Sequence, residues 1–236
     1  MNLRTKGLKN GRTKIILALD VDSFDKAKRI VDKLYPEIKI FKVGVQLFTA
    51  CGPKIVEYIN NKGAEVFLDL KYFDIPNTVA GAVAQAVRLK VKMLTLHILG
   101  DADMLSAAHM AARRQARLLG VKKPLLIGVT VLTSKETTSS DVLTLGKIGI
   151  DCGLDGLVCS AREVTLLRRE IKNKFLIVTP GIRPEGSIAH DQKRTASVRQ
   201  ATQAGSNFLV IGRPILEAKD PLEAARQISR ELNSVL

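Results

Sequence analysis

The chain has 236 residues, 46% of them hydrophobic, with 37 Lys and Arg against 23 Asp and Glu for a formal charge of +14. That size suits one large barrel of about 250 residues or two small domains, and no stretch approaches the ~20 apolar residues of a bilayer span. The charge favours anionic partners in general, but aromatics are 4% with no Trp and the basic residues are spread along helix-like segments, which argues against a nucleic-acid stacking surface and for a small anionic ligand.

Residues 1–10 carry no apolar signal core, and residues 1–12 read as an extension ahead of the first strand. Cys51, Cys152 and Cys159 are odd in number and lack metal-ligand spacing, as expected in a reducing cytoplasm. Cys159 lies in an apolar run, where a buried thiol is the ordinary outcome.

Apolar runs rich in β-branched residues predict strands at 15–19, 40–45, 65–70, 93–97, 125–131, 156–159, 175–179 and 208–211. Amphipathic segments between them predict helices at 25–34, 52–61, 79–89, 104–119, 140–152, 161–171 and 195–204, with a last one from Pro221 to about Leu232. Eight β–α units with continuous apolar strands give a TIM-type (β/α)8 barrel in one domain, 1–236. An open doubly wound sheet would carry a G-x-G-x-x-G turn after its first strand. The chain has Ala18-Leu19-Asp20-Val21-Asp22-Ser23 there.

Such barrels carry their chemistry at the carboxyl ends of the strands, and polar residues collect there. Asp20 follows the first strand. Lys42 lies inside the second, in Phe41-Lys42-Val43-Gly44, where a lysine is costly unless paired. The third ends in Asp69-Leu70-Lys71-Tyr72-Phe73-Asp74-Ile75-Pro76-Asn77-Thr78. Period-two alternation puts Asp69 and Lys71 on one side, Pro76 breaks the strand, and Thr78 is positioned to cap the next helix. A lone D-x-K is most simply a solvated salt bridge worth little. Here the charges continue into a D-I-P-N-T turn and have counterparts at other strand ends, a pattern suited to acid–base chemistry. Thr133 follows the fifth strand.

Thr179-Pro180-Gly181-Ile182-Arg183 ends the seventh strand and Ile211-Gly212-Arg213-Pro214 the eighth, the usual phosphate-binding loops of this barrel. Gly212 allows close backbone approach, and Arg183 and Arg213 offer donor forks that match phosphate oxygens. The polar loop 184–193 reads as a lid with Gln192 as a further donor. His97, His109 and His190 show no metal-pair spacing; His97, ending the fourth strand, is expected to be a hydrogen-bonded structural residue.

The third-strand motif resembles the signature of the orotidine 5′-phosphate decarboxylase family. So do Phe41-Lys42-Val43-Gly44, Val129-Thr130-Val131-Leu132-Thr133-Ser134, Thr179-Pro180-Gly181-Ile182-Arg183-Pro184 and Val210-Ile211-Gly212-Arg213-Pro214. The resemblance spans nearly the whole chain, in order. It implies decarboxylation of orotidine 5′-monophosphate to UMP, the last step of de novo UMP synthesis, by a homodimer using neither cofactor nor metal. It makes Lys71 the proton donor to C6 and completes an alternating charge array with Asp69, Lys42 and the partner subunit's Asp74. Asp20 and Lys42, with the partner subunit's Thr78, would hold the ribose. Thr133 would fix the pyrimidine, and Arg183, Gln192, Gly212 and Arg213 the phosphate. Two departures stand out: Gly100-Asp101 follows the fourth strand where the family usually carries two glycines, and the 134–152 segment is shorter than in many bacterial relatives.

Two other functions compete. The D-x-K-x-x-D core also resembles that of magnesium-dependent barrels acting on sugar phosphates, including keto-gulonate phosphate decarboxylase and hexulose phosphate synthase, and those would lose activity with a chelator. A non-catalytic nucleic-acid binder is motivated only by the +14 charge and would bind DNA in a salt-dependent way.

Overall fold

The apolar runs form eight parallel strands that close on themselves in chain order. They are β1 (Lys14–Ala18), β2 (Ile40–Gly44), β3 (Glu65–Tyr72), β4 (Met93–His97), β5 (Leu125–Val129), β6 (Gly156–Val158), β7 (Leu176–Thr179) and β8 (Phe208–Ile211). The structure, a computed structural model, describes residues 13–132, 137–183 and 195–235. The expected N-terminal extension, Thr133, and the loop carrying His190 and Gln192 lie outside the described residues.

Alternation along the strands divides the interior in two. Ile16, Ile40, Phe67, Met93, Ile127, Val178 and Phe208 point inward and fill the barrel. Leu17, Phe41, Val66, Leu94, Leu126, Ile177 and Leu209 point outward against the helices. Phe41 and Phe67 are buried to 0% and 1% exposure, one in each layer, and burying a side chain of this size contributes roughly 1.5–3 kcal/mol. Apolar plugs close the lower barrel, so the inward positions one step further along, Lys42, Asp69 and Thr95, face its open end.

The helical shell comprises α1 (Phe24–Leu34), α2 (Val45–Cys51), α3 (Lys54–Asn61), α4 (Pro76–Arg88), α5 (Asp101–Leu119), α6 (Ser139–Asp151), α7 (Ala161–Glu170), α8 (Val198–Ala204), α9 (Arg213–Leu216) and α10 (Pro221–Val235). Local chemistry sets their starts. Ser23 caps α1 through its side chain, and capping boxes open α6 (Thr138 with Asp141) and α8 (Ser197 with Gln200).

Several boundaries differ from the sequence expectation. The helix expected at 52–61 starts two residues later, as α3, with Pro53 at its N-cap, and an unanticipated short helix, α2, precedes it and is closed by Gly52 at φ +58°. Strand β2 ends at Gly44, since Val45 already begins α2. Thr78 does not cap α4. That helix starts at Pro76 behind an Ile75 N-cap, because proline fits the first turn, where its missing N–H costs nothing. Thr78 is therefore an exposed first-turn residue. Helix α5 begins earlier than expected, at Asp101, after a single 3-10 turn over Ile98–Gly100. Helix α9 was not anticipated.

Candidate active site

The carboxyl ends of the strands surround a cavity of about 510 Å³. Its floor is apolar, made by Phe67, Val129, Val158, Val178 and Val210, and its walls carry Asp20, Lys42, Asp69, Lys71, Arg183 and Arg213. The parity that sends Ile40 and Phe67 into the barrel also sends Lys42 and Asp69 inward one layer up, which is why a lysine sits in an otherwise apolar strand.

The four β1–β3 charges alternate in sign. Lys42 Nζ lies 2.9 Å from Asp20 Oδ1 and 3.7 Å from Asp69 Oδ2, and Lys71 Nζ lies 3.0 Å from both Asp69 oxygens. Lys42 and Asp69 are the inner members, 12% and 13% exposed, against 36% for Lys71 and 59% for Asp20. An ammonium so enclosed is tolerable only beside carboxylates, and each inner group has an opposite charge on both sides.

Lys71 does not reach this position by regular strand geometry. The β3–β4 register pairs Leu68 with Leu94 and then Tyr72 with Leu96. Three residues of β3 thus stand opposite one of β4, and Lys71 takes φ +51°. A lysine in that left-handed region costs of order 1–3 kcal/mol and persists only where its surroundings fix it. Thr95, the residue opposite the bulge, is fully buried. Its Oγ1 accepts from the Lys71 backbone N–H at 2.8 Å and donates to Asp69 Oδ1 at 3.0 Å.

Across the cavity, Gly181 at φ +75° turns the chain after β7 in a conformation that favours glycine. Arg183 N–H donates to Ala196 O at 2.9 Å, and Ala196 N–H to Gly181 O at 3.2 Å. These bonds fix the stem of Arg183, which is 9% exposed and lines the cavity with Arg213 and Gly212. A methyl at Gly212 would make ordinary contact with Ala18 Cβ and Asp20 Oδ2, both at 3.5 Å, so glycine is not sterically required there and what it adds is an uncovered stretch of backbone on that wall.

Of the residues singled out from sequence, Asp20, Lys42, Asp69, Lys71, Arg183, Gly212 and Arg213 share this cavity. Asp74 and Thr78 do not. Both are exposed beyond its rim, and Asp74 Oδ1 accepts from Ile75 N–H at 2.6 Å. Phe73 and Ile75, which flank Asp74, present apolar side chains that are 61% and 66% exposed, and Val45 and Leu99 are exposed apolar residues at 56% and 58%. His97 faces the Phe73 ring, 5.5 Å between centroids, and does not line the cavity. Burial pushes the Cys159 thiol far up, so it offers no nucleophile. Among the described residues no group of three or more His, Cys, Asp or Glu side chains is disposed to hold a metal ion, and no helix is long and apolar enough to cross a membrane. Sequence reasoning missed Thr95 and Glu217, which joins the cavity wall from just beyond α9. The one available signal for Thr95 was a polar residue at an inward position of Met93-Leu94-Thr95-Leu96-His97.

A closed parallel barrel with paired charges on one side of its mouth and arginines on the other defines a (β/α)8-barrel enzyme with a site for an anionic substrate. Residues 13–228 match the sequence model of the orotidine 5′-phosphate decarboxylase / HUMPS family, and the chain belongs to that family. It is 44% identical to the orotidine 5′-phosphate decarboxylase of Syntrophotalea carbinolica, over 97% of this chain and 98% of that protein. It is 42% identical to the enzyme of the same name from Moorella thermoacetica, over 96% and 94% respectively. The crystal structure of orotidine 5′-phosphate decarboxylase from Lactobacillus acidophilus superposes with a TM-score of 0.83 at 34% identity, covering 94% of this chain and 99% of that one.

Proposed function

We propose that this chain converts orotidine 5′-monophosphate to UMP and carbon dioxide, a step of UMP synthesis, with Lys71 as proton donor and no cofactor. The observation that carries the reading is the alternating Asp20–Lys42–Asp69–Lys71 array at the mouth of a cavity whose far wall holds Arg183 and Arg213.

In the proposed reaction the bond from C6 to the carboxylate breaks, carbon dioxide leaves, and the electron pair stays on C6. The Lys71 ammonium stabilises that developing charge, transfers a proton to C6 and is reprotonated from solvent. Asp69 lies beside the departing carboxylate and holds Lys71 in place; Lys42 keeps Asp69 and Asp20 oriented. Asp20 and Lys42 bind the ribose, while Arg183, Arg213 and the Gly212 backbone bind phosphate. Binding energy gathered at the phosphate organises the reacting end, each 1.36 kcal/mol so used being about tenfold in rate.

The same reading makes the enzyme a homodimer in which the partner subunit's Asp74 and the partner subunit's Thr78 complete each site. Support comes from the exposure of Asp74 and Thr78 outside their own chain's cavity, and from the exposed apolar Phe73 and Ile75 that flank Asp74.

The deciding measurement is spectrophotometric conversion of orotidine 5′-monophosphate in EDTA. Turnover undiminished by the chelator is expected. Turnover abolished by EDTA and restored by magnesium would overturn the metal-free mechanism; none under either condition removes orotidylate as the substrate and turns the reading toward the magnesium-dependent sugar-phosphate barrels.

A further inference from the structure

We infer that Thr95 is a positioning residue for the reacting pair: its hydroxyl fixes the backbone of Lys71 and one carboxylate oxygen of Asp69 at the same time. The inference rests on the proposed decarboxylation for what the pair does, and on geometry alone for how it is held.

The direction of both hydrogen bonds is settled by chemistry. A backbone N–H only donates, so Thr95 Oγ1 is the acceptor at 2.8 Å from Lys71 N. The hydroxyl proton is then left for Asp69 Oδ1 at 3.0 Å, where the charged carboxylate accepts. One buried oxygen thereby joins the main chain of the proton donor to the side chain of its counter-ion.

The need for it lies in the bulge. Between the pairs Leu68–Leu94 and Tyr72–Leu96 the β3–β4 register shifts, and the Lys71 amide bonds to a side chain on β4. Thr95 has 0% exposure and is absent from the cavity lining, so it acts through Lys71 and Asp69. Asp69 Oδ1 is shared by Thr95 and Lys71 Nζ, and Oδ2 faces Lys71 Nζ and Lys42 Nζ. Without the hydroxyl the Lys71 amide loses its acceptor, the left-handed turn loses a restraint, and the carboxylate is free to swing between two ammonium groups. Misplacement by about 1 Å at a reacting centre can cost about 100-fold in rate.

The test uses Thr95→Val, which keeps the shape and removes the hydroxyl, beside Thr95→Ser, which keeps the hydroxyl. Turnover of orotidine 5′-monophosphate and amide hydrogen exchange at Lys71 are measured for each. Thr95→Val is expected to lower kcat by about 10- to 100-fold with KM within about threefold, because the phosphate contacts lie across the cavity. Exchange at the Lys71 amide is expected to rise at least tenfold, and Thr95→Ser to restore kcat and protection to within about threefold of wild type. Should Thr95→Val fold poorly, Thr95→Ala replaces it against Thr95→Ser, two side chains that differ by the hydroxyl alone; equal kcat and equal protection in that pair overturn the inference. So does wild-type kcat or unchanged Lys71 exchange in Thr95→Val. The two readouts separate the layers of argument. A wild-type protein without orotidylate turnover defeats the proposed function, while accelerated Lys71 exchange in Thr95→Val would still show that this hydroxyl holds the pair.

Discussion

Lys71 Nζ donates to both oxygens of Asp69 and the side chain is 36% exposed, so truncating it removes a charge and opens no core cavity. Lys71→Ala is expected to abolish turnover while the far-UV spectrum and melting temperature stay close to wild type; activity within tenfold of wild type would remove Lys71 from the chemistry. Asp69 keeps the Thr95 hydroxyl and the Lys42 ammonium in that variant, which is why the fold should tolerate it. Arg213 is different in kind, since the proposed function has it act on the end of the substrate that does not react. Loss of a charge-assisted phosphate contact costs on the order of 1.5–3 kcal/mol, or roughly 10- to 150-fold. Arg213→Ala should therefore raise KM for orotidine 5′-monophosphate by about that factor and leave turnover of orotidine, which has no phosphate, nearly unchanged. Equal damage with both substrates would make Arg213 structural.

The turn from β4 into α5 shows what the Gly100-Asp101 departure does. Asp101 adopts φ +66°, ψ 176°, a conformation occupied almost only by glycine, and glycine is what the resemblance leads one to expect there. The aspartate offsets the strain locally, its Oδ1 accepting from Met104 N–H at 3.0 Å in the first turn of α5. At Gly100 a Cβ would sit 2.2 Å from Met104 Sδ, so any side chain there requires the buried Met104 side chain to move. Urea denaturation of three variants should separate the two effects. Asp101→Gly relieves the strain and loses the cap, so it is expected within about 1 kcal/mol of wild type; Asp101→Ala loses the cap and keeps the strain, and should cost about 1–2 kcal/mol; Asp101→Asn keeps both. An alanine variant as stable as wild type would show that the turn relaxes freely. The elements themselves were largely legible: continuous apolar runs marked all eight strands, and β4 and β8 fall at the expected residues. Helix boundaries failed where punctuation was read in one direction only. Cys51-Gly52-Pro53 both ends α2 and begins α3, and Pro76, read as a strand breaker, is also the first turn of α4. The bulge at Asp69–Lys71 was not legible. Strict alternation puts the two charges on one side and so reaches the right contact, but a register shift against β4 is a property of two strands and leaves no mark in the sequence of one.

The site as a whole divides between what one chain specifies and what it leaves open. Seven of the residues expected there share one cavity: strand parity turns Lys42 and Asp69 inward, the β3 bulge brings in Lys71, and strand order gathers Asp20, Arg183, Gly212 and Arg213 from the segments after β1, β7 and β8. Asp74 and Thr78 are assigned to a site by the resemblance alone, since no periodicity within one chain encodes the surface of another. Both lie on the exposed rim beside apolar Phe73 and Ile75, and the proposed dimer makes a strict prediction about them. If Lys71 acts in its own subunit and Asp74 serves the partner's site, Lys71→Ala and Asp74→Asn chains each lack a different part. In a mixed dimer one site carries both defects. The other takes Lys71 from the Asp74→Asn chain and Asp74 from the Lys71→Ala chain, so it is intact. Random exchange of equal amounts makes about half the dimers mixed, each with one good site, and activity should recover to about a quarter of wild type by the statistics of a two-fold interface. Exchange is verified independently by pull-down of differently tagged chains. With exchange demonstrated and the mixture still inactive, Asp74 does not cross the interface, and the shared site has to be given up even if the single-chain array keeps its assigned roles.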